Sequence, residues 1–163
     1  MTFKTACLAA ALTLAGLGSA QANTWAWSYS GTGVTASGTF TTAGAALVPE
    51  DILTFSGLRN GVAITGLVPL DTDPNFLYDN QFIAVGDHFS DAGVLYSVAG
   101  QDNVNLYFFA GTYTDLVIDA AGNAVETPIS FSVSAVPEPA TALALLTGLG
   151  VLGLRLGARR QQA

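Results

Sequence analysis

Between positions 23 and 135 the chain alternates apolar and small or polar residues with a period of two, and glycine or asparagine interrupts it about every ten residues. That rhythm suits half-buried strands and excludes long amphipathic helices, because side chains two apart share one face of a pleated strand. Trp25, Trp27 and Tyr29 fall on one face of a first strand, with Ala26, Ser28 and Ser30 on the other. After the turn Gly31-Thr32-Gly33, the stretch from Val34 to Thr42 puts Val34, Ala36 and Phe40 on one side and four hydroxyl residues on the other. Asp51 to Ser56 and Val62 to Thr65 flank Gly57-Leu58-Arg59-Asn60-Gly61, where Asn60-Gly61 accepts the positive φ angles of a tight hairpin turn. Further strands are expected over Phe76 to Val85, Val94 to Val98, Val104 to Phe109, Tyr113 to Ile118 and Ile129 to Val133, with no helix before Pro139. Eight or nine short strands in one domain predict an all-β antiparallel sandwich, of jelly-roll or immunoglobulin-like topology.

This domain, residues 23–135, has room for one core and not two. Eleven acidic side chains stand against the single base Arg59, a net charge of −10. Such a surface repels phosphates and anionic lipid headgroups, so neither nucleic-acid binding nor a peripheral membrane role is expected of the domain.

Both flanks have a different character. At the start, Lys4 precedes an apolar run from Ala6 to Leu17, followed by the small residues Gly18-Ser19-Ala20-Gln21-Ala22. A positive n-region, a short apolar core and an Ala20-x-Ala22 site read as a signal peptide over 1–22 for Sec-type export, cut after Ala22. The only cysteine, Cys7, lies inside that signal, so the mature chain has no thiol for disulfides, nucleophilic catalysis or zinc. At the other end, Val136-Pro137-Glu138-Pro139-Ala140-Thr141 leads into a charge-free run from Ala142 to Leu154 and then Arg155, Arg159 and Arg160. If Arg155 snorkels, the 19 residues from Ala140 to Ala158 reach roughly 28 Å, close to a bilayer core. Basic residues beyond the span stay on the cytoplasmic side, which places residues 23–135 outside the membrane.

The order of Pro-Glu-Pro signature, apolar helix and arginine cluster over residues 136–163 resembles the PEP-CTERM proteins, exported proteins of Gram-negative bacteria. The segments Gly57 to Ile64 and Val104 to Tyr107 also look like phrases found in small members of that group. The resemblance implies that the tail is a sorting signal removed by exosortase, a membrane protease-transpeptidase, in cells that also make exopolysaccharide. The expected product is a non-enzymatic protein, held first at the inner membrane and then passed to the envelope, surface or extracellular matrix. Physically, two prolines flanking Glu138 hold the backbone extended and remove two amide donors, which gives a stiff strip that a protease can read.

Other chemistry has little to stand on. His88 is the only histidine, no Gly-x-Ser-x-Gly elbow occurs, and Asp87, Ser90 and Asp91 are too near His88 in sequence to converge as a triad. A loop histidine at the surface is the expectation. The acids cluster at turns, which suits solvation better than a glycosidase pair, and an exported hydrolase is therefore the third reading. Asp71, Asp73, Asn75 and Asp79 concentrate hard oxygen donors as calcium prefers. A calcium-binding loop of the EF-hand type would want glycine where Phe76 stands and glutamate where Phe82 stands, so a solvated turn is favoured and no cofactor is required. Trp25, Trp27 and Tyr29 could stack on sugar rings, which makes a carbohydrate-binding module, calcium-dependent or not, the second reading; alternate spacing also serves a core strand, and core packing is favoured.

Overall fold

The computed structural model describes residues 22–44 and 48–137. They form nine strands: β1 (Asn23–Gly31), β2 (Val34–Thr42), β3 (Glu50–Arg59), β4 (Val62–Leu67), β5 (Gln81–Phe82), β6 (Val94–Val98), β7 (Val104–Phe109), β8 (Thr112–Ile118) and β9 (Ala124–Ala135). The described residues contain no helix. The signal peptide and the apolar tail lie outside the described residues.

The all-β reading holds, but the strands do not divide into the two sheets of the expected sandwich. Each of eight strands pairs antiparallel with its neighbour in the order β1-β2-β3-β4-β6-β7-β8-β9, and β9 pairs back onto β1. The result is a closed barrel with β5 as a two-residue addition to the start of β3. Sandwich and barrel need the same alternation; the difference lies in whether the first and last strands meet. Here Trp27 pairs with Gly38 of β2 on one side and Val133 of β9 on the other. Closure also removes open sheet edges, an advantage for a chain that has no disulfides.

Inward residues follow the expected parity. Trp27, Tyr29, Phe40, Phe55, Phe82 and Tyr96 are each 3% exposed or less and form a continuous stack of rings. Trp27 lies on Phe55 at 4.6 Å between ring centres, and Phe55 on Tyr96 at 5.0 Å. Eight strands enclose a space that side chains of this size can fill. The Asn60-Gly61 hairpin forms as predicted, with φ angles of 49° and 79°.

The segment Phe76 to Val85 departs from expectation, since only Gln81–Phe82 is strand. Asn80, at φ 54°, breaks the extended run, and its side chain is used on the barrel wall instead. Asn80 Oδ1 accepts from Leu95 N at 2.9 Å while Nδ2 donates to Val68 O at 2.9 Å. Asn105 Nδ2 donates to Leu77 O and Ala92 O in the same way. The loop Val68 to Gly93 thus covers the outer faces of β6 and β7, which is why Val94-Leu95-Tyr96 and Val104-Asn105-Leu106 are buried on both faces. Its second half turns inward: Phe82 packs on Trp25 and Phe40 at 4.8 and 4.7 Å, and Phe89 on Phe131 at 5.1 Å. These rings plug one end of the barrel.

Candidate functional site

Among the described residues two places stand out: the end where β1 begins and β9 ends, and a polar cluster in the interior.

At the first, β1 begins and β9 ends side by side. Trp25 pairs with Ala135, and Val136 N donates to Thr24 O at 2.8 Å. Exposed Ala22 precedes β1 directly, so the expected signal cleavage site and the start of the Pro-Glu-Pro strip leave the barrel from adjacent strands. Val136 and Pro137 are exposed. Ala20, Glu138, Pro139, Arg155, Arg159 and Arg160 lie outside the described residues.

Inside the barrel, Asp115 of β8 is 1% exposed and accepts a two-point bond from Arg59 of β3, Nε to Oδ2 at 3.0 Å and Nη2 to Oδ1 at 2.7 Å. Tyr29 of β1 donates its hydroxyl to Asp115 Oδ2, and Tyr96 of β6 then donates to the Tyr29 oxygen at 2.6 Å. Burial, reinforced by the Asp115 charge, holds the Tyr29 phenol well above its ordinary range. Burial and the neighbouring Tyr29 do the same to Tyr96. Burial works against the Arg59 charge, but the bond and charge of Asp115 outweigh it and keep the guanidinium protonated more firmly than usual. With three bonds from a guanidinium and a phenol on one buried carboxylate, this cluster ties four strands together.

Sequence reasoning missed this cluster. The signal was present: Asp115 falls between Tyr113 and Val117 on the inward parity of β8, and Arg59, the only base of the domain, has the inward parity of β3.

The other candidates disperse. His88 is in a loop as expected, yet its ring is stacked on Phe82 at 5.6 Å and its Nδ1 is 2.9 Å from Ile83 O, inside the plug rather than free at the surface. Ser90 Oγ donates to Asp79 Oδ2 at 2.7 Å and not to His88, while Asp87 and Asp91 are exposed. Asp73 Oδ1 accepts from Asn75 N and its Oδ2 from Asn103 Nδ2, 30 residues away. Asp79 instead lines a groove of about 250 Å³ with Asp51, Pro69, Leu70 and Asn80. Asp71 is exposed at a positive φ of 61°. Among the described residues no group of three or more His, Cys, Asp or Glu side chains is arranged to hold a metal ion. Trp27 and Tyr29 are covered by other rings, and Trp25 is half-buried with its Nε1 donating to Thr42 Oγ1 at 3.2 Å. Trp27 and Tyr29 pack the core, and Trp25 packs at its edge against Phe40 and Phe82.

Comparison with models of protein families, with characterised proteins and with solved structures gives no match to this chain.

Proposed function

We propose that the chain is an exported, non-enzymatic barrel that is first tethered in the inner membrane and then delivered to the cell surface or extracellular matrix when exosortase cuts its tail, where it associates with exopolysaccharide. The observation that carries this reading is the order of Val136-Pro137-Glu138-Pro139, the uncharged run to Leu154 and the arginines Arg155, Arg159 and Arg160. The position of Val136, just past the last strand and exposed, supports it, because a protease needs an extended, accessible strip. In this scheme the signal peptide routes the chain through Sec-type machinery, the segment 140–158 holds it as a single span, and the acidic barrel is the cargo. Among the described residues no helix is long and apolar enough to cross a membrane.

The test is to replace the recognition strip while leaving the apolar run and arginines intact. Pro137→Ala with Glu138→Ala should leave the full tail on the protein and keep it in the membrane fraction of a host that has exosortase, while the native chain is shortened and leaves that fraction. Equal processing of both chains would refute the reading.

A further inference from the structure

Exposed apolar side chains are unevenly placed on this barrel. At the end where the chain enters and leaves, Val48 is 64% exposed in the β2–β3 connection, Val85 68% in the plug loop, Phe109 62% beside the β7–β8 turn, and Val136 38%. At the opposite end the turns are Thr32-Gly33, Asn60-Gly61, Ala99 to Asn103 and Asp119 to Asn123, and none carries a large apolar residue at its tip. The exposed Leu58 and Val125 lie on the strands beside two of them, and Leu53 on the wall of β3, so the apolar tips are concentrated at, though not confined to, the first end. The four exposed tips belong to one surface. Glu50 pairs with Phe82, which joins the β2–β3 connection to the plug loop. Phe108 N donates to Ser90 O at 3.0 Å and His88 N to Tyr113 Oη at 3.1 Å, which joins the plug loop to the β7–β8 turn. Leu70 and Leu77, farther back in the same connection, belong to the stretch that runs along the barrel wall.

We propose that this end of the barrel docks on the surface of the lipid bilayer, with Val48, Val85, Phe109 and Val136 set into its interfacial layer while the tail is in place. The proposal rests on the reading of residues 140–158 as a membrane span. Chain length then does much of the work: only Val136 to Pro139 separate Ala135 from Ala140, and five Cα steps cannot exceed roughly 18 Å even fully extended. The headgroup layer itself takes up about 5–8 Å of that reach. The barrel end is therefore held against the bilayer at high effective concentration, and small apolar tips suffice to keep it there. Apolar insertion and not charge is the attraction, because Asp87 and Asp91 stand exposed in the same loop as Val85 and the barrel's only base, Arg59, is paired inside. Uncharged headgroups are the matching surface, and cutting the tail releases the docked end along with the anchor.

To test it, the full chain carrying Cys7→Ser and one new cysteine is purified from membranes of a host without exosortase. It is labelled with a fluorophore and reconstituted into phosphatidylcholine vesicles containing a lipid with a nitroxide headgroup. Labels at Val85→Cys and Phe109→Cys should be quenched by the nitroxide lipid, and labels at Gln101→Cys and Ala121→Cys, at the far end, should not. Adding anionic lipid should reduce the quenching. Four unquenched labels on a chain that resists carbonate extraction would overturn docking while leaving the span intact. A chain released by carbonate would overturn the span, and docking with it. Shielding of 85 and 109 from aqueous iodide without lipid quenching would overturn docking in favour of a protein that covers this end.

Discussion

Asp115 and Arg59 show how much a single inward position can fix. Two long strands place one acid and one base on the interior face, and once desolvated each needs the other. Removing one partner of a buried pair leaves an uncompensated charge, so Asp115→Ala should lower unfolding stability by about 3–5 kcal/mol in a urea titration. The double variant Asp115→Leu with Arg59→Met should recover much of that loss; no recovery would mean that the pair is not what Asp115 contributes. Tyr29 and Tyr96 add a pH dependence of definite sign. Both phenols are held above their ordinary range, so the folded chain keeps protons that the unfolded chain gives up near pH 10. Stability from these two groups is complete below that pH and falls as pH rises above it, by about 1.4 kcal/mol per pH unit for each. Urea midpoints measured from pH 8 upward should show the decline, and Tyr96→Phe should make it shallower.

At the level of elements, the β2–β3 pair and the plug loop are where packing is tightest. Gly38 and Gly57 face each other, and a Cβ on Gly38 would lie 1.8 Å from Ser56 O, one on Gly57 2.1 Å from Ser37 O. No side chain fits where the two backbones approach so closely, and Trp27 stands directly across from Gly38 on β1. Gly38→Ala should force β2 and β3 apart and cost at least about 1–3 kcal/mol, the usual scale of overpacking, read as a lowered thermal midpoint. Phe89→Ala should remove a plug ring that is 2% exposed and cost about 3–5 kcal/mol. Most strands were legible because alternation and glycine or asparagine turns are local signals: β1, β2 and the Asn60-Gly61 hairpin stand where the pattern puts them. Phe76 to Val85 was not, because its apolar residues serve two surfaces in turn, the outer wall of β6 and β7 and the mouth of the barrel, and neither is visible in a local period.

For the whole molecule, closure into a barrel was the feature that pattern could not supply. It depends on β9, which extends from Ala124 to Ala135 rather than over the predicted Ile129 to Val133 and so reaches β8 with its first half and β1 with its second. That same pairing sets the start of β1 and the end of β9 beside one another, so the two ends of the described barrel leave it on the same side. The expected catalytic absence and the calcium candidates rest on residue chemistry alone, and the exopolysaccharide partner on the resemblance of the tail. The routing rests on the tail, and it is open to one direct measurement. Intact mass spectrometry of the native chain, recovered separately from cells and medium in hosts with and without exosortase, should show loss of everything beyond about Pro137 and appearance at the surface or in the medium only where the enzyme is present. An unshortened chain held in the membrane of both hosts would contradict it and leave residues 140–158 as a permanent anchor.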